Sequence, residues 1–139
     1  MRVFLDTNVL FSAFATRGLC ADVLRHVLAE HELLTGEVVL VELRRALREK
    51  LHLAAETIQE IEALLRSHHV EPKPDRLPVV EIRDQDDLSV LASALAGFAD
   101  VLVTGDRDLL EIKPSFRRLK IVDPRGFWTL AQRRGPRRK

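Results

Sequence analysis

Two hydrophobic periods alternate along the chain. Short uninterrupted apolar runs read as buried strands, and apolar positions three or four residues apart read as helices with one packed face. Arg2 to Asp6 is a run of the first kind, and the apolar stretch Thr7 to Ala15 reads as a turn and a short helix. Leu19, Val23, Val27 and Leu28 set a helix over Leu19 to Glu30, and "HELLTG", His31 to Gly36, is a short strand ending on glycine. Leu40, Leu43, Leu47 and Leu51 make one stripe on a helix from Gly36 to Lys50. Ile58, Ile61, Leu64 and Leu65 do the same from Ala54 to His68, so these two helices are expected to form a hairpin. Pro72, Pro74 and Pro78 make "VEPKPDRLPVV" extended or loop. A helix from Asp87 to Gly97 turns Leu91, Ala94 and Leu95 inward. A strand (Val101 to Thr104), a short helix (Arg107 to Glu111), a last strand (Lys120 to Val122) and a last helix (Phe127 to Gln132) follow.

Strands alternating with helices imply an α/β domain with a mainly parallel sheet. In such sheets the ligand site lies beyond the carboxyl ends of the strands. Asp6 and Asp106 both fall at that edge. Acids converging there repel one another unless something positive sits between them.

Composition sharpens this picture in places. A chain of 139 residues suits one domain, and 46% hydrophobic with 31% charged residues suits a globular one. No apolar stretch is long enough to span a bilayer, no signal-peptide pattern opens the chain, and Cys20, the single cysteine, excludes an internal disulfide. A cytoplasmic location without membrane attachment is the expectation. The net charge of +1 hides an asymmetry: "RRGPRRK" carries five basic residues, and without them the remainder is about −4. A domain over residues 1–132 with a basic tail over 133–139 is therefore expected. The tail is either a nucleic-acid contact or a solvated end.

The acids that invite chemistry are Asp6, Glu42, Asp87 and Asp106, with Asp86 and Asp108 beside them. Glu42 is the one charge in "VVLVEL", and Asp87 opens a helix whose N-terminus Asp84 and Asp86 also crowd. Each acid has a plainer alternative. Asp6 and Asp106 could cap the helices that follow them. Asp87 could complement a helix dipole. Glu42 could pair with Arg45, although the better i+4 position holds Ala46. Carboxylate oxygens gathered in one crevice would select Mg²⁺ or Mn²⁺, and no Cys/His spacing supports zinc. His68 and His69 end a helix and read as surface. A carboxylate-held Mg²⁺ activates water and stabilises charge on a phosphodiester, so the acids point to phosphoryl-transfer hydrolysis.

"FLDTNVLFSAF", "VELRRAL", "DDLSVLASAL" and "ADVLVTGDRDLL" together resemble the PIN-domain ribonucleases. The likeness is strongest to the VapC-like branch, the toxin components of bacterial and archaeal toxin–antitoxin pairs. It runs from Arg2 to about Leu130, and "VDPRGFW" looks like that family's closing strand and helix. The resemblance implies a three-layer α/β/α Rossmann-like sandwich and Mg²⁺- or Mn²⁺-dependent cleavage of single-stranded RNA. It also implies dimerisation and inhibition by a small antitoxin protein. Residue by residue, it makes Asp6, Glu42, Asp87 and Asp106 catalytic, with Asp6, Asp87 and Asp106 as metal ligands. Asp108, Thr7, Asn8 and Thr104 become supporting positions, and Asp86 could exchange roles with Asp87 by a one-residue shift.

Arg17, Arg107 and Arg45, with Arg44 and Arg48, are candidates for holding substrate phosphates, or form solvated helix faces. The chain has no Tyr, one Trp and six Phe, so base stacking has little to build on, and Phe98, Phe116, Phe127 and Trp128 read as core or interface. Two other functions fit the same fold class. An aspartyl-nucleophile phosphatase of the haloacid dehalogenase type wants an acid where Asn8 stands, and another where Leu110 stands. A catalytically silent module of the same fold, binding RNA or protein, would keep the acids without turnover.

Overall fold

The computed structural model describes residues 1–78, 80, 82, 84–112 and 118–134. In chain order the elements are β1 (Arg2–Leu5), α1 (Thr7–Ala15), α2 (Leu19–Glu30), β2 (Glu32–Gly36), α3 (Glu37–Glu49), α4 (Ala55–Arg66), β3 (His69–Glu71), α5 (Gln85–Ala96), β4 (Val101–Val103), α6 (Arg107–Leu110), β5 (Lys120–Val122) and α7 (Pro124–Arg134). The strands form one sheet in the order β3-β2-β1-β4-β5, and every described pairing is parallel. This is the expected α/β class with a parallel sheet flanked by helices.

The connections from β1 to β2 and from β2 to β3 step one way across the sheet. The connection to β4 steps back. Right-handed crossovers therefore put α1–α4 on one face and α5 on the other. The packing agrees. Gly36, with Phe4 beside it, faces α5, where a Cβ on Gly36 would lie 3.2 Å from Ser93, and Leu34 meets Gly97 in the turn after α5. On the opposite face α2 and α3 pack on β2, and α7 closes against α2.

Because helices cover both faces, the strands read as continuous apolar runs. Val3, Phe4, Leu5, Leu33, Leu34, Leu102 and Val103 are fully buried. Burial of each such side chain stabilises the fold by roughly 1.5–3 kcal/mol. No described helix is long and apolar enough to cross a membrane.

Several expectations shift. The turn and short helix after Asp6 are one nine-residue helix, α1, that begins at once. The helix expected to end at His68 stops at Arg66, and His69 opens β3, an edge strand of three residues hidden in the proline-bearing stretch. Its side chain is half exposed and meets Glu71. The fifth helix begins at Gln85 and not Asp87, because Asp84 is its N-cap and accepts from the Asp86 amide at 2.9 Å. The last helix begins at Pro124, a residue suited to a first helical turn, and runs to Arg134. Phe127 is core, Trp128 packs edge-on against His26, and Phe98 is exposed. Phe116 and the tail from residue 135 lie outside the described residues.

Candidate functional site

The strand order reverses between β1 and β4, and the crevice beyond their carboxyl ends is where an open parallel sheet takes its ligand. Asp6 follows β1 directly. Its amide continues the ladder by donating to the Val103 carbonyl at 3.0 Å, which holds Asp6 at the sheet edge. Thr104 and Gly105 then carry the chain from β4 to Asp106 at the start of α6.

Asp6 is 4% exposed, and its carboxylate is surrounded by donors. The Thr7 amide donates to Oδ1 at 2.7 Å, while Asn8 Nδ2 (3.3 Å) and the Thr104 hydroxyl (2.7 Å) donate to Oδ2. The same Thr104 hydroxyl accepts from the Asp106 amide at 2.9 Å. Asn8 Oδ1 accepts from the Gly105 amide at 2.8 Å, a close approach that a Cβ on residue 105 would crowd at 3.3 Å. Thr104 and Asn8 thus fasten the loop bearing Asp106 to Asp6. On the α3 side the Thr7 hydroxyl donates to Glu42 Oε1 at 3.0 Å.

Helix capping and clustering coexist here. Asp6 caps α1, and Asp106 caps α6 through Oδ1, which accepts from the Asp108 amide at 2.8 Å. Asp87, on the first turn of α5, is 8% exposed and lies close enough to Asp106 for the two carboxylates to repel each other. Carboxylate oxygens of Asp87, Asp106 and Asp108 lie within 4.8 Å of one another. Of the two adjacent acids, Asp87 joins this group, while exposed Asp86 sits beside Glu42.

The electrostatics are those of uncompensated acid. Burial first, then repulsion from Asp106, pushes Asp87 up to about 7. Burial raises Asp6 against the pull of its hydrogen bonds, and burial also raises Glu42, with repulsion from Asp86 and Asp6 adding to it. Among the described residues no Lys, Arg or His forms an ion pair with Asp6, Glu42, Asp87, Asp106 or Asp108. An oxygen-only donor set with surplus negative charge fits a hard divalent cation.

An open cleft of about 530 Å³ joins Asp6, Glu42, Asp87 and Asp106 to a wall made by α1 and α3. Arg45 lines it, whereas Arg17 and Arg107 are exposed and do not. Arg44 is turned away and binds Glu62 through two hydrogen bonds, and Arg48 pairs with Glu49. Phe11, Ser12, Glu49 and Lys50 also line the cleft and went unread in the sequence. Helical spacing could have found them: Phe11 is one turn beyond Thr7, and Arg45, Ala46, Glu49 and Lys50 repeat the face of Glu42.

Residues 2–108 match the PIN domain family. The fold is similar to a chain of the crystal structure of VapBC2 from Rickettsia felis bound to a DNA fragment from their promoter. That likeness has a TM-score of 0.63 and 18% identity, over 88% of this chain and 98% of that one. At this identity the likeness is one of fold. No curated protein sequence matches the chain. The family match spans well over half of the 139 residues and contains every acid of the cleft, and the chain belongs to the PIN-domain family.

Proposed function

We propose that this protein is a metal-dependent endoribonuclease that hydrolyses single-stranded RNA, and that it is the toxin of a toxin–antitoxin pair restrained by a small antitoxin protein. The observation that carries the catalytic part is the convergence of Asp87, Asp106 and Asp108 oxygens within 4.8 Å with no cationic side chain paired to them among the described residues. The toxin assignment rests on the fold likeness to VapBC2 and on the motifs of the sequence.

Asp6, Asp87, Asp106 and Asp108 would hold Mg²⁺ or Mn²⁺. When bound, such an ion polarises a phosphodiester and makes water a competent nucleophile near neutral pH. The chain's own groups do the rest. Glu42, with Oε1 tied to Thr7, takes the proton of the attacking water on Oε2, and its raised pKa suits it to that task. Thr104 and Asn8 keep the Asp6 and Asp106 carboxylates in register. No side chain acts as a covalent nucleophile.

The test is cleavage of an end-labelled single-stranded RNA by the purified protein, with Mg²⁺, Mn²⁺ or EDTA, and with Asp106→Asn alongside. Cleavage that needs the metal and vanishes in the variant is expected. A variant that cuts at the wild-type rate removes the acid cluster from the chemistry.

A further inference from the structure

The cleft has two unlike walls. One is the acid cluster. The other is formed by α1 and α3 and holds Phe11, Arg45 and Lys50. Phe11 is half-buried: it packs against the core and also lines the cleft. The Lys50 ammonium lies 5.7 Å from the ring centre, at the outer reach of a cation–π contact.

The charge pattern along α3 sets Arg45 and Lys50 apart. Arg44 and Arg48 are both committed to carboxylates. Arg45 and Lys50 are exposed and have no ion-pair partner among the described residues, although Asp86 and Glu49 share the cleft with them. Arg45 also stands where this cleft meets a second cavity of about 380 Å³ that it lines with Lys73. An apolar ring beside two unpaired cations matches one ligand chemistry well: a base with a flat face, joined to phosphates. Stacking supplies binding that tolerates any base, and the cations take the backbone. The cleft volume falls within the roughly 300–1,000 Å³ of sites that hold a small ligand.

We infer that the α1–α3 wall is a nucleotide subsite, in which one base of single-stranded RNA lies against the Phe11 ring while Lys50 and Arg45 hold adjoining phosphates. The identity of the ligand as RNA rests on the nuclease reading above. The subsite fixes the strand on one side of the acid cluster, so Phe11 and Lys50 are positioning residues that set where the backbone is cut.

Binding of a fluorescent ten-nucleotide RNA to the cleavage-impaired Asp106→Asn protein tests this, by anisotropy over a range of salt. Phe11→Leu keeps the apolar packing and removes the aromatic face. It should weaken binding about 5- to 10-fold or more, and Phe11→Trp should restore it. Replacing bases one at a time by an abasic sugar should reveal one position where Phe11→Leu no longer matters. Lys50→Gln should flatten the slope of log affinity against log salt by about 0.7. If Phe11→Leu proves unfolded by circular dichroism, the exposed Lys50 decides alone by the same slope. Unchanged binding in both variants overturns the subsite, and so does a parent protein that binds no RNA. Wild-type cleavage with Mg²⁺ is measured in parallel. Cleavage without any Phe11 or Lys50 effect sinks the subsite and spares the nuclease. Phe11-dependent binding without cleavage under any metal sinks the nuclease and spares the subsite.

Discussion

Helix α3 carries two glutamates, Glu37 and Glu42, whose surroundings are opposite. Glu37 accepts two hydrogen bonds from Arg66, at 2.7 and 2.8 Å, and Arg66 also binds Glu62, which Arg44 grips in turn. Glu37 and Glu62 are held below the usual carboxylate range, chiefly by those guanidinium hydrogen bonds. Glu42, less than two turns on, faces Thr7, Asp86 and Asp6 and is pushed up. The chain has 22 basic residues to distribute, so the lack of a partner at the cleft is not a shortage of cations. Where acids support the α3–α4 pair, each is matched within the protein. Asp6, Glu42, Asp87 and Asp106, which line the cleft, have no such partner among the described residues. Raised carboxylates gathered in a cleft make it a functional-site candidate.

The largest way to sharpen this contrast is catalytic. Asp106→Asn or Asp87→Asn should reduce metal-dependent RNA cleavage by at least on the order of 100-fold. Glu62→Gln, equally an acid-to-amide change, should leave the rate unchanged.

Next in size is the opposite pH dependence of the two groups, read by thermal melting in EDTA. Asp87 has a folded pKa near 7, above its ordinary value, so the folded state binds the extra proton. Its contribution is fully present below about pH 4 and is lost as pH rises through 7, a span worth on the order of a few kcal/mol. Glu37 and Glu62 are depressed, so their stabilisation is present above the ordinary glutamate range and lost as pH falls through their folded values. Asp87→Asn should flatten the neutral limb alone, and Glu62→Gln the acid limb alone. One limb responding to both would dissolve the distinction.

Thr104→Val comes third. It strips a fully buried hydroxyl that joins Asp6 to Asp106. Denaturant unfolding should show a loss of about 1–3 kcal/mol, with cleavage impaired as well. Arg66→Ala is the smallest. Its bridges are largely exposed, so about 1 kcal/mol or less is expected, with no change in cleavage.

Much of the architecture was legible because it depends on period. Leu40, Leu43 and Leu47 lie on the buried side of α3, as their spacing requires. β3 was not legible, since three residues at a sheet edge beside prolines give no alternation to read. The start of α5 was misread because three acids, Asp84, Asp86 and Asp87, compete for the cap and only backbone geometry assigns it to Asp84. At the site, Asp6 and Asp106 were visible as acids after apolar runs. That Asp108 shares a cluster with Asp87 depends on α5 and α6 meeting in space, which no spacing along the chain announces. The wall of Phe11 and Lys50 was not legible as such, since an apolar residue in α1 and a lysine ending α3 fit ordinary core packing and a solvated helix end equally well.

The most direct measurement is the melting temperature at pH 8 in EDTA and in millimolar Mg²⁺ or Mn²⁺, for the wild type and for Asp106→Asn. A divalent cation should raise the wild-type value, raise it less at pH 5.5 where Asp87 is protonated, and leave the variant nearly unmoved. A wild type indifferent to both metals at pH 8, or a variant that gains as much, would contradict the assignment of the cleft acids to a cation.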